Sequence, residues 1–283
     1  MPVLPNFSAD SRERSTRSRV NSHSQPHSDK QLTPENAPYP QLLVSIRSPQ
    51  EAKAALRAGP RYLDIKEPDH GSLGFAGPKT ISDIAKAIRG NANGVSLSAA
   101  LGELTEWEDS RPIPCLPRDI QFAKMGLANC GESTSWLSRW IDLRQRFEHA
   151  SQSRFRWIAV HYVDASAKCP PLAAILEAAL STGATGLLLD THHKGAGSLF
   201  SHISQRELLA CRDATRRANQ LLALAGSLKI KDLPRVAEIG PDIVALRGAV
   251  CKNGVRTGPI DEHAIRNWIA QLQAPHPMLR NGE

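Results

Sequence analysis

From Gln41 onward the chain repeats one arrangement eight times: a short β-branched or leucine-rich run, then a longer segment of helical period. The runs are 42–46, 62–66, 95–99, 120–124, 157–161, 186–190, 221–225 and 243–247. Such alternation marks repeated βα units feeding a parallel sheet, and eight strands close a barrel. The roughly 230 positions from 41 to 273 are compact but adequate for a (β/α)8 fold, whose usual size is about 250 residues. An open doubly wound sheet would be expected to carry Gly-x-Gly-x-x-Gly after its first strand, and Ile46-Arg47-Ser48-Pro49-Gln50 is not such a turn. The reading is an α/β TIM barrel over 41–273 as a single catalytic domain.

Helix punctuation agrees with the alternation. Ser48-Pro49-Gln50-Glu51 reads as an N-cap followed by proline at the first helical position. Gly77-Pro78 opens a second helix that Gly90 closes. Gly59, Gly183 and Gly240 end helices just before the second, sixth and eighth strands.

Residues 1–40 are rich in Ser, Arg, Asn, Pro and His with little aliphatic periodicity, so they are read as a disordered extension; 274–283 are read as a C-terminal tail. The apolar start Val3-Leu4-Pro5-Asn6-Phe7 stops too soon for a secretory signal, and no stretch approaches the roughly 18 apolar residues of a membrane span. Asp10, Glu13, Asp29 and Glu35 argue against a transit peptide. A cytoplasmic location without membrane association is expected. The five cysteines are widely spaced and include no Cys-x-x-Cys pair, which argues against a disulfide framework or a zinc knuckle.

The formal charge is +7, of which residues 1–40 hold five Lys/Arg against four acids, so the surplus lies in the barrel. A basic body favours anionic ligands. Nucleic acid is not expected, because no RNP aromatic pattern, finger spacing or run of basic residues is present. Phosphorylated small molecules fit the charge.

Barrel active sites lie at the C-terminal ends of the strands, so the ionisable groups there carry the functional argument. The second run carries Asp64 and ends in Lys66. The fourth ends at Lys124, the fifth runs through His161 to Asp164, the sixth ends at Asp190 with Lys194 four residues on, and the eighth ends at Arg247. Lys66 is the sharpest signal: an ammonium at the end of an apolar strand is costly to desolvate, and a lysine with a lowered pKa is a nucleophile for carbonyls. Asp64 and Lys66, two apart, point the same way, and the charge of Lys124 is expected to depress the Lys66 amine. The loops Ala225-Gly226-Ser227-Leu228-Lys229 and Arg247-Gly248-Ala249-Val250 fit the common barrel phosphate site, with Gly226, Ser227 and Gly248 presenting backbone amides and Arg247 a bidentate donor. Gly71-Ser72-Leu73-Gly74 is a second anion nest or a flexible lid, and Asp164 a further binding residue. His192-His193 lacks a third ligand at metal spacing, so no metal is expected.

The segments LLVSIRSPQEAKAALRAG, YLDIKEPDHGSLGFAGP, SAALGEL, FAKMGL, LLLDTHHKGAGSLF, LALAGSLKIKDLPRVAEIGPDIVALRGAVC and GPID, in this order across most of 42–261, resemble the (5-formylfuran-3-yl)methyl phosphate synthases, also called 4-(hydroxymethyl)-2-furancarboxaldehyde-phosphate synthases. The resemblance implies a (β/α)8 carbon–oxygen lyase. Such an enzyme condenses two glyceraldehyde 3-phosphate molecules, losing water and one phosphate, into a furan aldehyde phosphate for methanofuran-type one-carbon carriers. It implies Lys66 as the Schiff-base residue, Lys124 as the proton-transferring base, and Asp64, Asp190 and Lys194 completing the site, with no cofactor. A homo-oligomer is expected. Two features depart from the family: the first 40 residues, and the Trp-, Pro- and acid-rich stretch between Leu104 and Ile120, which could alter site access or an oligomer contact. The rivals are another Schiff-base aldolase acting on triose or pentose phosphates, and a non-catalytic basic binding protein.

Overall fold

The structure, a computed structural model, describes residues 39–90, 94–107, 110–195 and 197–274. The expected extension over 1–40 and tail over 274–283 therefore lie outside it, apart from Tyr39, Pro40 and Ala274. Eight parallel strands close into a barrel in sequence order, and Gln41 to Val44 of the first pair with Ile243 to Leu246 of the last. The strands are β1 (Gln41–Ile46), β2 (Tyr62–Ile65), β3 (Ser96–Glu103), β4 (Ile120–Gly126), β5 (Arg156–Tyr162), β6 (Gly186–Asp190), β7 (Leu221–Leu224) and β8 (Ile243–Leu246). Around them lie α1 (Pro49–Ala58), α2 (Pro78–Ile88), α3 (Trp136–Ser151), α4 (Leu172–Ser181), α5 (Gln205–Arg217), α6 (Leu233–Ile239) and α7 (Glu262–Gln273). The TIM-barrel reading holds.

The strands sort their side chains by alternation. Outward residues such as Val44, Ile46, Leu63, Ile65, Leu187, Leu189 and Val244 belong to a continuous core that includes the inner faces of the helices, among them Ala52, Ile81, Leu143, Leu208 and Ile265. Inward residues Leu43, Ala100, Val160, Leu188, Ala223 and Ile243 fill the barrel itself. The inward set is larger on β5 and β6 than on β7 and β8, where Ala223, Ala225 and Ala245 occupy the equivalent positions. Those small side chains leave space beneath the mouth, and the cavity opens there.

Helix α1 starts as its sequence requires: the Ser48 hydroxyl accepts from the Glu51 amide at 3.2 Å and Pro49 occupies the first turn. The β3-to-β4 connection is different from a plain βα unit. Its described residues form no α-helix, only a single 3-10 turn at Leu104–Glu106. Pro112, Pro114 and Pro117 withhold the amide donors a helix needs. Trp107 takes the helix's place in the core: buried, it donates to the Leu101 carbonyl at 2.7 Å and stacks edge-on against Phe147 and Phe75. None of the described residues between Leu104 and Ile120 lines the mouth cavity. Among the described residues no helix is long and apolar enough to cross a membrane, and all five cysteines are free.

Candidate active site

A cavity of about 480 Å³ opens at the C-terminal ends of the strands. Its wall holds Asp64 and Lys66 from β2 and the residue after it, Lys124 from β4, Asp190 and Lys194 from β6 and its loop, Gly226 and Ser227 after β7, and Arg247 and Gly248 after β8. The structure thus brings nine of the eleven site candidates to one wall. Ser72 lies immediately behind it, and Asp164 stands apart.

Two buried ion pairs organise the floor. Asp64, 1% exposed, pairs with the Lys124 ammonium, which also donates to the Ser98 hydroxyl at 3.0 Å. Ser45 directs its hydroxyl to the other Asp64 oxygen at 3.4 Å. The register explains the contact, because Ser45, Asp64 and Ser98 lie side by side across β1, β2 and β3. On the opposite wall Lys194 reaches back one helical-length turn to Asp190 at 2.6 Å. Asp190 further accepts from its neighbour's amide, Thr191, at 2.7 Å and from the Ser72 hydroxyl at 3.0 Å. Burial alone would raise the Asp190 carboxyl, but the Lys194 and Lys66 ammoniums and these hydrogen bonds outweigh it and hold the carboxyl below its ordinary range.

Lys66 lies between the pairs without belonging to either. Its Nζ donates to the Ser72 carbonyl at 3.1 Å, and only 7% of the residue is exposed. Its pKa falls from 10.5 to about 8, first because of burial; Lys194 and Lys124 push it down as well, while Asp190 and Asp64 oppose. Both causes the sequence suggested, desolvation of an ammonium on an apolar strand and the charge of Lys124, act in the expected direction. Desolvation dominates, and Lys124 contributes least of the four neighbouring charges.

The loop after β2 holds the amine in place. Its amide at Glu67 donates to the Gly74 carbonyl at 2.8 Å, and the turn is so tight that a Cβ on Gly74 would stand 2.2 Å from the Glu67 carbonyl oxygen. Gly102, on β3, donates its amide to Leu73 at 2.9 Å, and Leu73 is buried with Ala100, Val160 and Tyr162. The loop is therefore a packed plug over the β3–β5 side of the mouth. The free space lies on the β6–β8 side. Ser72 points its hydroxyl to Asp190 and to the Thr191 carbonyl, at 3.0 and 3.1 Å, and so joins Lys66 to Asp190 through its own backbone.

Two sequence expectations are displaced. Arg247 is at the wall, but Glu51 takes it bidentately at 2.6 and 3.1 Å, and its remaining N–H groups go to the carbonyls of Ser45, Gly258 and Arg256. All five donors of the fork are occupied, so it presents no free edge to an anion. Asp164 accepts from the His192 and His193 amides and from Ser166, and so shapes the loop that carries Lys194. His161, at the end of the fifth run, is half-buried beside Cys169 and is pushed down to about 4 by desolvation.

The loops after β7 and β8 border the cavity with Gly226, Ser227, Leu228, Gly248 and Ala249. Gly226 and Ser227 both adopt left-handed φ, 97° and 51°. A Cβ on Gly226 would come within 3.0 to 3.3 Å of Thr191, so the loop lies directly on the end of β6. The amides of Gly226, Ser227, Leu228, Gly248 and Ala249 donate to no acceptor among the described residues. Sequence reasoning missed Glu51, which reads as an ordinary first-turn acid, and Arg256, which sits in an aperiodic loop. It also missed Glu103, whose carboxyl burial raises and which accepts from the Tyr162 hydroxyl at 2.6 Å and the Ala128 amide at 2.9 Å.

A family model described as 4-HFC-P synthase matches residues 42–269. The chain is 30% identical over 234 residues, 81% of its length and 97% of the relative's, to a (5-formylfuran-3-yl)methyl phosphate synthase of Methanococcus maripaludis. It is 28% identical over 238 residues to the protein of that name from Methanosarcina barkeri, covering 82% of this chain and 99% of that one. Among solved structures it is similar in fold to GGGPS from Thermoplasma volcanium, with TM-score 0.57, 13% identity, and 83% and 93% of the two chains covered. It is likewise similar to KGPDC from Streptococcus mutans, with TM-score 0.53, 11% identity, and 83% and 97% covered.

Proposed function

Since the chain belongs to the 4-HFC-P synthase family, we propose that it condenses two molecules of glyceraldehyde 3-phosphate into (5-formylfuran-3-yl)methyl phosphate, releasing one phosphate and two waters, through an imine on Lys66. The observation that carries this reading is the buried Lys66 amine, held near neutrality at about 8 between two carboxylate–ammonium pairs.

The chemistry follows from those groups. Neutral Lys66 adds to a substrate carbonyl, and loss of water from the carbinolamine leaves an iminium that draws electrons from the adjacent carbon. The Lys124–Asp64 pair, on the same inward face, takes the proton released there and yields the enamine. The enamine carbon bonds to the second aldehyde. The Asp190–Lys194 pair, on the opposite wall, protonates departing oxygens, and water returns the amine on release of product. Loop amides after β7 and β8 hold phosphate. The product is an intermediate suited to methanofuran-type carriers, and no organic cofactor or metal is needed in this scheme.

The test is direct. Incubation with glyceraldehyde 3-phosphate alone should produce a furan aldehyde chromophore, and borohydride should leave a reduced adduct that mass spectrometry locates on Lys66. Reversible cleavage of a longer sugar phosphate without a furan product would favour an aldolase instead. An adduct on another lysine would reject the role of Lys66.

A further inference from the structure

Six basic side chains reach the cavity wall: Lys66, Lys124, Lys194, Lys229, Arg247 and Arg256. Three are neutralised at contact, Lys124 by Asp64, Lys194 by Asp190 and Arg247 by Glu51. Lys66 is driven toward its uncharged form. Lys229 is exposed at the rim. Arg256 remains, half-buried and without a carboxylate partner among the described residues.

Its geometry is that of a residue held ready. One Nη donates to the Gly71 carbonyl at 2.9 Å, in the loop that also carries Ser72, and its own carbonyl accepts from Arg247 Nε at 2.7 Å. No other acceptor among the described residues takes its remaining four N–H groups, out of the five a guanidinium carries. Gly248, whose amide is free, stands against it: a Cβ there would lie 3.7 Å from the Arg256 Cβ. Burial lowers its pKa, and Asp190 opposes that from across the same cavity.

We propose that Arg256, in place of Arg247, is the cationic ligand for a phosphate monoester dianion in the nest formed by the loops after β7 and β8. A planar fork beside free amides matches phosphate geometry. Because the same guanidinium ties to Gly71, filling the nest also fixes the loop whose Ser72 carbonyl holds the Lys66 amine. Arg47 reinforces that bridge, joining Glu67 and Asp69 of the β2 loop to the Thr257 carbonyl at 2.9 Å. The inference rests on the reading of the cavity as a triose phosphate site.

The experiment compares the full-length protein with R256Q and R256K, titrating inorganic phosphate by calorimetry. Borohydride trapping is then run in parallel with glyceraldehyde 3-phosphate and with glyceraldehyde. Loss of a charge-assisted pair should weaken phosphate binding about tenfold or more in R256Q and reduce the preference for the phosphorylated aldehyde by a similar factor. R256K, keeping charge but not the fork, should fall between. Phosphate affinity in R256Q equal to that of the unaltered protein overturns the proposal. Should R256Q fail to fold, R256K decides, and an unchanged affinity there overturns it equally. Absence of any adduct on the unaltered protein would reject the imine reading and leave the phosphate titration to judge Arg256 by itself.

Discussion

Replacing Lys66 with methionine should stabilise the protein while abolishing adduct formation. The amine titrates at about 8 in the fold against an ordinary 10.5, so between those values the unfolded chain binds more protons than the native one. Stability of the unaltered protein therefore rises with pH across that window, and below it the full cost is present. With about 1.4 kcal/mol per pH unit, the buried amine costs about 3 kcal/mol at pH 7 and about 1 kcal/mol at pH 9.5. Methionine removes that cost and loses the bond to the Ser72 carbonyl, worth about 1 kcal/mol net. The expected gain is about 2 kcal/mol at pH 7, or roughly 4 to 8 °C in Tm for a domain of this size, shrinking almost to nothing at pH 9.5. Urea unfolding of both proteins at the two pH values measures it. A variant less stable at pH 7, or a difference that does not narrow with pH, would make Lys66 an ordinary paired cation.

The charges around Lys66 make opposed predictions. Asp190→Asn removes a group that raises its pKa, so the ascending limb of trapping rate against pH should move below 8. Lys194→Met removes a group that lowers it, so the limb should move up, in each case by about half to one pH unit; movement in the same direction in both would contradict the assignment. Glu51→Gln leaves Arg247 buried without its partner and should cost about 3 to 5 kcal/mol in urea unfolding, whereas a role in phosphate binding alone would leave unfolding untouched. Gly226→Ala forces a Cβ to within about 3 Å of Thr191 at a φ of 97° and should cost about 1 to 3 kcal/mol, read as a lowered Tm.

The barrel was legible because its strands are periodic and its helices punctuated. Gly186–Asp190 is a strand with the bounds its leucine run suggests, and the other strands differ from their apolar runs by one to four residues at an end. What escaped is aperiodic. The extension of β3 to Glu103 depends on a register shift against β4 between Ala100 and Glu103, which no local pattern announces. The missing helix between β3 and β4 is filled by one tryptophan whose partners, Phe75 and Phe147, lie far from it in sequence. The strand-end rule located Arg247 at the mouth but was silent on Glu51, brought to it by α1 from 196 positions away. Asp164 illustrates the same gap: a carboxylate near the mouth can bind backbone amides of its own chain, and only the fold decides which. Lys66 and Asp64 were readable because both are anomalies in an otherwise apolar strand, and a charge that violates its local context is visible without any tertiary knowledge.

The two ion pairs have a consequence for the proposed chemistry that neither has alone. With Asp64 and Asp190 each matched by a contacting ammonium, the floor is neutral when Lys66 is an amine and carries one positive charge when Lys66 is protonated. Desolvation disfavours that charge in the free protein. In the iminium the charge is spread over carbon and nitrogen, and the same two carboxylates that oppose the Lys66 shift favour this protonated, electron-drawing form over the neutral imine. The arrangement is thus neutral for attack and receptive to the iminium. A dianionic phosphate close to Lys66 would undo this by restoring its proton, since an anion favours the ammonium. The phosphate must be matched by cations of its own, and Arg256 and Lys229 on the β7–β8 side are those the floor does not already use.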